Sequence, residues 1–114
     1  MSETCIFCRI FRGEIPAQEV RRTADALVFR DTSPHAPTHL LVIPKRHVSD
    51  LGDFVEQASA EEVGDFLKVV GEAGRSETTR GYRVVSNEGV EGGQTVGHLH
   101  FHVMGGRQMT WPPG

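Results

Sequence analysis

The stretch GHLHFHVMGG, residues 97–106, alternates three histidines with three apolar side chains before it ends in glycines. Successive side chains of a β-strand point to opposite faces, so each set occupies a face of its own. We expect the apolar set to pack beneath a helix and adjacent histidines to lie about 6.6–6.8 Å apart on the other face. The apolar residues are Leu99, Phe101 and Val103, and the histidines are His98, His100 and His102.

The rest of the chain predicts an α+β fold, an antiparallel sheet of about five strands with one long helix and a short N-terminal helix. The long helix follows Ser59, which pairs with Glu62 in a capping box, and it extends to about Gly74. The short helix is CIFCRIFR, residues 5–12. The apolar stripe of the long helix is Val63, Phe66, Leu67 and Val70. The predicted strands are QEVRRT (18–23), DALVFRDT (25–32), HLLVIPK (39–45), YRVVSNEG (82–89) and HLHFHVMG (98–105).

Composition limits the classes of function. The 12 basic and 15 acidic residues give a net charge of −3, which disfavours a protein that binds nucleic acid through phosphate charge. No apolar run approaches the roughly 18 residues of a membrane-spanning helix, and the polar N-terminus lacks the pattern of a signal peptide. We expect a single domain over residues 1–114, in the cytoplasm, with neither a nucleic-acid nor a membrane partner.

Histidines clustered on one strand face suit two kinds of catalysis. Neighbouring imidazoles can bind a catalytic zinc ion, or one imidazole can attack phosphorus as a nucleophile because it is largely neutral near pH 7. The glycine-rich segment NEGVEGGQTVG, residues 87–97, leads directly into the strand. Its glycines let backbone N–H groups approach an anion closely, which favours the nucleophile.

The order of motifs along the chain resembles that of the histidine-triad family. The shared segments are CIFCRI, EIPA, DTSPHAPTHLLVIPKRH, VVSNEG, GGQTVGHLHFHVMGGRQ and WPPG, which together extend from Cys5 to Gly114. The resemblance implies hydrolysis of nucleoside 5′-phosphoramidates, such as AMP joined to an amine, through a covalent nucleotidyl-histidine intermediate. The alternatives are a nucleotide-binding regulatory or scaffold protein with little turnover, and a zinc enzyme whose strand histidines are ligands.

The same resemblance implies roles for single residues. His100 would be the nucleophile, His102 would bind the phosphate and assist the leaving group, and His39 would lie beside them. The substrate would be a purine nucleotide, an AMP or GMP derivative, bound in part by the two strand histidines. Its other contacts would be Asp31 at the ribose, Phe29 and Thr32 at the base, and Asn87, Gly93, Gln94 and Thr95 around the α-phosphate.

Cys5 and Cys8 form a Cys-x-x-Cys pair, which in a reducing compartment is typical of metal or redox chemistry. Similarity to bacterial histidine-triad proteins implies a structural zinc ion held by these two cysteines with His47 and His98, and a reaction that needs no metal. A pair of buried, reduced cysteines is one alternative. A redox pair is another, although no βαβ unit follows the motif.

The C-terminal tail, residues 105–114, contains Trp111 and two prolines near its end. A frayed terminus is one interpretation, but exposed tryptophan is enriched at protein interfaces. The resemblance implies a C2 homodimer with the sheet extended across both subunits. In that assembly Met109 and Trp111 would contact the leaving-group pocket of the partner subunit.

Overall fold

The computed structural model describes residues 3–114, which form three helices and a five-stranded sheet. The helices are α1 (Ile6–Phe11), α2 (Leu51–Gln57) and α3 (Ala60–Glu77). The strands are β1 (Glu19–Arg22), β2 (Ala26–Arg30), β3 (Thr38–Pro44), β4 (Tyr82–Ser86) and β5 (Phe101–Gly105). Neighbouring strands are all antiparallel, in the order β1-β2-β3-β5-β4. The predicted α+β fold is confirmed, and none of the helices within residues 3–114 is long and apolar enough to cross a membrane.

Helices cover both faces of the sheet, with α3 on the face of the apolar residues that alternate with the histidines and α1 on the face of the histidines. Leu99, Phe101 and Val103 lie in the cluster beneath α3, where the ring of Phe101 meets that of Phe66 edge-on at 5.6 Å. On the other face, Phe7 of α1 packs in a second apolar cluster. The Phe7 ring lies 5.1 Å from that of His100. The alternation of histidines and apolar residues over 98–103 therefore divides the two faces as predicted.

The sequence prediction starts β5 at His98, but the strand begins at Phe101. The residues just before it are held by isolated hydrogen bonds in place of a ladder. Leu99 donates its backbone N–H to the carbonyl oxygen of Val48 over 2.8 Å, and the His98 imidazole contacts the carbonyl oxygen of Pro44 at 2.9 Å. Because proline has no N–H to donate, the regular pairing of β3 with β5 ends before this point.

The long helix α3 begins as predicted and ends later, at Glu77. The Ser59 side chain accepts the N–H of Glu62 over 3.1 Å, but the Glu62 carboxylate pairs with Arg46 at 2.8 Å, so only half of the capping box forms. The placement of Leu67 in the apolar stripe is wrong, since Leu67 is 45% exposed and lies about 100° around the helix from Phe66. The buried residues of α3 are Phe66, Val69, Val70, Ala73 and Gly74, with Val63 packed at their edge.

The short helix α2 is absent from the sequence prediction. It is capped by Asp50, whose side chain accepts the N–H of Asp53 over 2.9 Å. Its buried residue is Phe54, which is 1% exposed and whose ring lies 5.3 Å from that of Phe66. A helix of seven residues with one buried side chain has no measurable apolar period, and this is why periodicity does not predict it.

Candidate functional site

His100 is oriented by the backbone immediately before it. Its Nδ1 lies 2.8 Å from the carbonyl oxygen of His98, and because a carbonyl oxygen only accepts, Nδ1 carries the proton. In the neutral ring Nε2 then has an available lone pair. The His100 ring centroid lies 5.1 Å from that of His102. The two strand histidines predicted to act together are therefore neighbours on the face opposite α3.

The protons of the His39–His102 pair can be assigned from their partners. The backbone N–H of His35 donates to Nδ1 of His39 over 2.9 Å, so neutral His39 carries its proton on Nε2. This Nε2 lies 2.9 Å from Nδ1 of His102 and donates to it. Neutral His102 in turn carries its proton on Nε2. His102 therefore presents an N–H group on the side away from His39.

Burial keeps both members of this pair neutral. Loss of solvent is the main cause that lowers the pKa of His102 to about 4, and the neighbouring His100 and His39 lower it further. Burial also lowers the pKa of His39, although the nearby carboxylate of Asp31 acts in the opposite direction. Both imidazoles are therefore neutral at neutral pH, each with a single ring proton, as the tautomer assignment requires.

Asp31, His39 and His102 bring three possible ligand atoms within 4.8 Å of one another. A metal bound at Nε2 of His39 would require a lone pair there and would move the proton to Nδ1. That proton would then face the N–H of His35, and two donors would be left without an acceptor. The hydrogen bonds therefore favour a hydrogen-bonded pair of imidazoles at these residues over a catalytic metal, which disfavours the zinc-enzyme alternative.

Asp31 follows β2 and lies beside the histidine pair. One carboxylate oxygen, Oδ1, accepts the backbone N–H of Ser33 over 2.8 Å, and the other, Oδ2, lies 3.4 Å from Nε2 of His39. The side chain is 18% exposed. A carboxylate has about four lone-pair sites, so Asp31 keeps capacity to accept the hydroxyl groups of a ligand.

The glycine-rich loop before β5 is closed by its own hydrogen bonds. The N–H of Gly93, which has φ +78°, donates to Val90 O over 3.1 Å, and that of Gln94 donates to Gly89 O over 3.1 Å. The Gln94 amide also accepts the N–H of Gly89 at 3.1 Å and donates to Val96 O at 3.0 Å. Gly93 and Gln94 therefore shape the loop in this structure, and their contact with a phosphate stays a prediction.

The remaining predicted nucleotide contacts differ in accessibility. Phe29 is 4% exposed and packs edge-on against Phe7 at 5.9 Å, so it belongs to the core beneath α1. Thr32 and Thr95 are exposed. Asn87 is half-buried and follows Ser86, whose partner across the sheet is Phe101. Asn87 follows Ser86 and His100 precedes Phe101, so both residues lie just beyond the same end of the β4–β5 pairing.

The second predicted site is formed by two cysteines and two histidines. The side chains of Cys5, Cys8, His47 and His98 bring their ligand atoms within 4.8 Å of one another. Nδ1 of His98 lies 3.4 Å from Cys5 Sγ, 3.5 Å from Cys8 Sγ and 3.2 Å from Nδ1 of His47. His47 is exposed, whereas Cys8 and His98 are fully buried. These four residues can hold a metal ion.

The donor set and its spacing fit tetrahedral zinc. Zn–S bonds of about 2.3 Å and Zn–N bonds of about 2.0–2.1 Å place tetrahedral ligand atoms roughly 3.3–3.8 Å apart, which matches the contacts of His98. Nε2 of His98 donates to the carbonyl oxygen of Pro44 over 2.9 Å, so the neutral ring directs the lone pair of Nδ1 toward the sulfur atoms. A backbone acceptor of this kind is the usual outer-shell partner of a metal-binding histidine.

The tail is tied to its own chain before its last residues. Arg83 of β4 donates to the carbonyl oxygen of Thr110 over 2.9 Å. Met109 is half-buried, and Trp111, one residue past the tie, is 83% exposed. Contact of Met109 and Trp111 with a partner subunit stays a prediction.

Two residues of the site were missed by sequence reasoning. His35 contributes its backbone N–H to His39, and Arg107 donates through Nε to the His35 carbonyl oxygen over 2.9 Å. Backbone groups carry no residue-type signal, and Arg107 lies 72 positions from its partner. A single sequence therefore offers no pattern that links them.

The imidazoles of His39, His100 and His102 lie together beside the carboxylate of Asp31, on a five-stranded antiparallel sheet. This is the arrangement expected of a histidine-triad protein. The HIT domain family matches residues 12–109. The chain belongs to the HIT domain family. Membership supports a nucleotide hydrolase or nucleotide-binding role of the HIT type.

Relatives agree along nearly the whole chain. An uncharacterized HIT-like protein of Synechococcus elongatus is 46% identical over 114 residues, which is 100% of both chains. A HIT-like protein of Azospirillum brasilense is 45% identical over 91% of this chain and 87% of its own. Among solved structures, a HIT family hydrolase from Legionella pneumophila is 46% identical, covers 97% of this chain and 100% of its own, and superposes with a TM-score of 0.90. A histidine triad protein from Clostridium difficile is 36% identical over 96% of both chains, with a TM-score of 0.84.

Proposed function

We propose that the protein hydrolyses nucleoside 5′-phosphoramidates through a covalent nucleotidyl-histidine intermediate on His100. The observation that carries this proposal is the 2.8 Å contact from His100 Nδ1 to the His98 carbonyl oxygen. That contact leaves Nε2 as the reactive nitrogen and fixes the ring that bears it. The hydrolases among the related HIT structures support a hydrolytic reaction.

In the first step, Nε2 of His100 attacks the α-phosphorus, and a phosphorus–nitrogen bond forms to the enzyme. The bond from phosphorus to the amine breaks as the leaving nitrogen takes up one proton from solvent, and the Nε2–H of His102 assists by donating a hydrogen bond to this nitrogen. One solvent proton is thereby consumed, and the free amine departs. The same N–H can stabilise charge on the phosphoryl oxygens, where one such donor contributes about 3–4 kcal/mol.

In the second step, a water molecule attacks phosphorus and the bond to His100 breaks. The water gives up one proton to solvent, which balances the proton consumed earlier, and the nucleoside monophosphate leaves. His39 contributes by holding Nδ1 of His102 as an acceptor through the 2.9 Å contact between their rings. This hydrogen bond therefore maintains the tautomer of His102 through both steps.

Nucleotide recognition is assigned to residues around this pair. The Asp31 carboxylate accepts the ribose hydroxyls, which suits an acceptor-only group. Asn87 and Thr95 contact the α-phosphate from the loop side, while Thr32 and the edge of Phe29 border a purine base. Gly93 and Gln94 hold the shape of the loop.

We further propose that the metal site holds structural zinc through the sulfur atoms of Cys5 and Cys8 and Nδ1 of His47 and His98. A zinc ion at this site would cross-link α1 to the segment before β5, and it would take part in no step of the reaction. The protein is proposed to act as a homodimer. The exposed side chains of Trp111 and of Tyr82 and Val84 on the edge strand β4, 83%, 36% and 40% exposed, are the surfaces it would bury.

Turnover of a fluorogenic adenosine 5′-phosphoramidate tests the proposed reaction. The variant His100→Ala is expected to lose activity by roughly 10³-fold or more while it keeps most of its affinity for AMP. Arg80→Gln, which changes an exposed arginine between α3 and β4, is the matched control and should retain full activity. A transient mass increase of one nucleotidyl group on wild type, absent in His100→Ala, would identify the intermediate.

The outcomes separate the alternatives. Equal turnover by His100→Ala would remove this residue from the mechanism. Tight AMP binding by a wild type that does not turn over the substrate would favour the regulatory or scaffold role. Parallel measurements with guanosine phosphoramidates determine which purine the site prefers.

A further inference from the structure

A continuous chain of hydrogen bonds joins the C-terminal tail to the histidine pair. Arg107 donates from Nε to the carbonyl oxygen of His35 over 2.9 Å. His35 donates its own N–H to Nδ1 of His39 over 2.9 Å, and Nε2 of His39 lies 2.9 Å from Nδ1 of His102. Both backbone groups of His35 are therefore engaged, one by the tail and the other by the catalytic pair.

The segment that contains His35 depends on such contacts because residues 31–37 form neither helix nor strand. Near Asp31 it is tied by the bond from Ser33 N–H to Oδ1 and by the bond from Asp31 N–H to His39 O, 2.8 and 3.0 Å long. His35 itself is exposed. The position of His35 relative to His39 therefore depends on contacts from outside this segment, such as the hydrogen bond from Arg107.

The tail is shaped to reach this segment. Gly106 has φ +92°, a conformation that favours glycine, and a Cβ there would lie 2.8 Å from Cβ of Pro37. The turn after β5 thus packs its backbone directly on the segment before β3. This close approach places Arg107 where its guanidinium meets the His35 carbonyl.

We propose that Arg107 is a positioning residue that sets the tautomer and orientation of the His39–His102 pair. By holding His35, it keeps a backbone N–H aimed at Nδ1 of His39, which leaves Nε2 of His39 as the donor to His102. Without this tie the His35 N–H moves, Nδ1 of His39 can take up the proton, and His102 no longer presents its N–H to the leaving group. The catalytic consequence rests on the proposed function, whereas the tautomer can be observed without turnover.

The test compares Arg107→Gln with Arg107→Lys and with the control Arg80→Gln. Lysine reaches farther than Nε of arginine and can still donate to the His35 carbonyl, so Arg107→Lys should restore most of the activity. For Arg107→Gln we expect kcat to fall about tenfold, with KM for the adenosine phosphoramidate changed less than about twofold. Heteronuclear NMR of the imidazole nitrogens should show His39 protonated on Nε2 in wild type, Arg107→Lys and Arg80→Gln, and a mixture of tautomers in Arg107→Gln.

Several outcomes would overturn the proposal. Wild-type His39 protonated on Nδ1 would do so directly, whether or not any variant folds or the enzyme turns over. A tenfold loss shared by Arg107→Gln and Arg80→Gln would indicate a general charge effect. Identical imidazole spectra for wild type and a folded Arg107→Gln would show that the tail does not act on the pair. If wild type fails to turn over the substrate but shows the expected tautomers, the proposed reaction is wrong and the positioning role stands.

Discussion

Removal of the metal should separate the stability of the fold from catalysis. The perturbations are chelation of wild type and the variant Cys8→Ser, which takes one sulfur ligand from the site. We expect a large loss of thermal stability and little loss of kcat at 25 °C. The reason is that the metal site and the nucleophile share His98 but use different atoms of it: Nδ1 faces the sulfur atoms, and the carbonyl oxygen holds His100.

The expected magnitudes follow from these contacts. A metal present at 100 to 1,000 times its dissociation constant stabilises the folded state by about 2.7–4.1 kcal/mol. For a domain of this size Tm shifts roughly 3–5 °C per kcal/mol, which gives a decrease of about 8–20 °C. The His98 carbonyl should move little, because bonds from His98 to Pro44 O at 2.9 Å and from Leu99 to Val48 O at 2.8 Å remain. We therefore expect kcat to change less than about threefold, which is below 1 kcal/mol of activation free energy.

The measurements are thermal unfolding by circular dichroism and turnover of the phosphoramidate at 25 °C, each with metal content determined on the same sample. Chelator added to Cys8→Ser is the control and should not lower its Tm further. A fall in kcat in proportion to lost metal would refute the reasoning and indicate a catalytic metal. A Tm that does not respond to chelation would show that the four residues hold no structural metal.

Three further predictions concern the core, pH and assembly. Phe66→Ala removes a ring that meets Phe54 at 5.3 Å and Phe101 at 5.6 Å, and urea titration should show a loss of about 3–5 kcal/mol in unfolding free energy; a loss below 1 kcal/mol would contradict this packing. Because burial lowers the pKa of His102 from 6.5 to about 4, the unfolded chain binds the proton first as pH falls through this range. The free energy of unfolding should then decrease by at most roughly 3 kcal/mol as pH falls, and it should decrease less in His102→Gln. If the dependence of unfolding free energy on pH is the same in His102→Gln as in wild type, His102 is not its source. Light scattering should give the mass of two chains for wild type and a shift toward one chain for Trp111→Ser, and a wild type with the mass of one chain would exclude the proposed dimer.

The two-residue alternation around His100 was sufficient to predict which face of β5 meets the core. It succeeded because side-chain direction in a strand is a local property of the backbone. The start of β5 was not predictable in this way, since it depends on where β3 stops offering ladder partners near Pro44. The same limit applies to Leu67, whose burial depends on the angle at which α3 crosses the sheet.

The sequence indicates which residues compose the candidate site, but it does not indicate which nitrogen of each imidazole carries the proton. The motif and the resemblance brought His39, His100 and His102 to attention, and the structure places them together. Which nitrogen of each ring is protonated depends on backbone groups of His35 and His98. These groups belong to every residue, so no sequence pattern distinguishes them, and only the folded chain assigns them.

The exposed end of the tail has a practical consequence for spectroscopy. Trp111 is the only tryptophan of the chain, and it is 83% exposed, so intrinsic fluorescence reports the tail and hardly the interior. Its emission in a separated subunit should resemble that of indole in water and shift to shorter wavelength wherever another surface covers it. In a separated subunit, an unfolding curve followed by this emission would not report the opening of the sheet. The same emission is a sensitive, label-free signal for association.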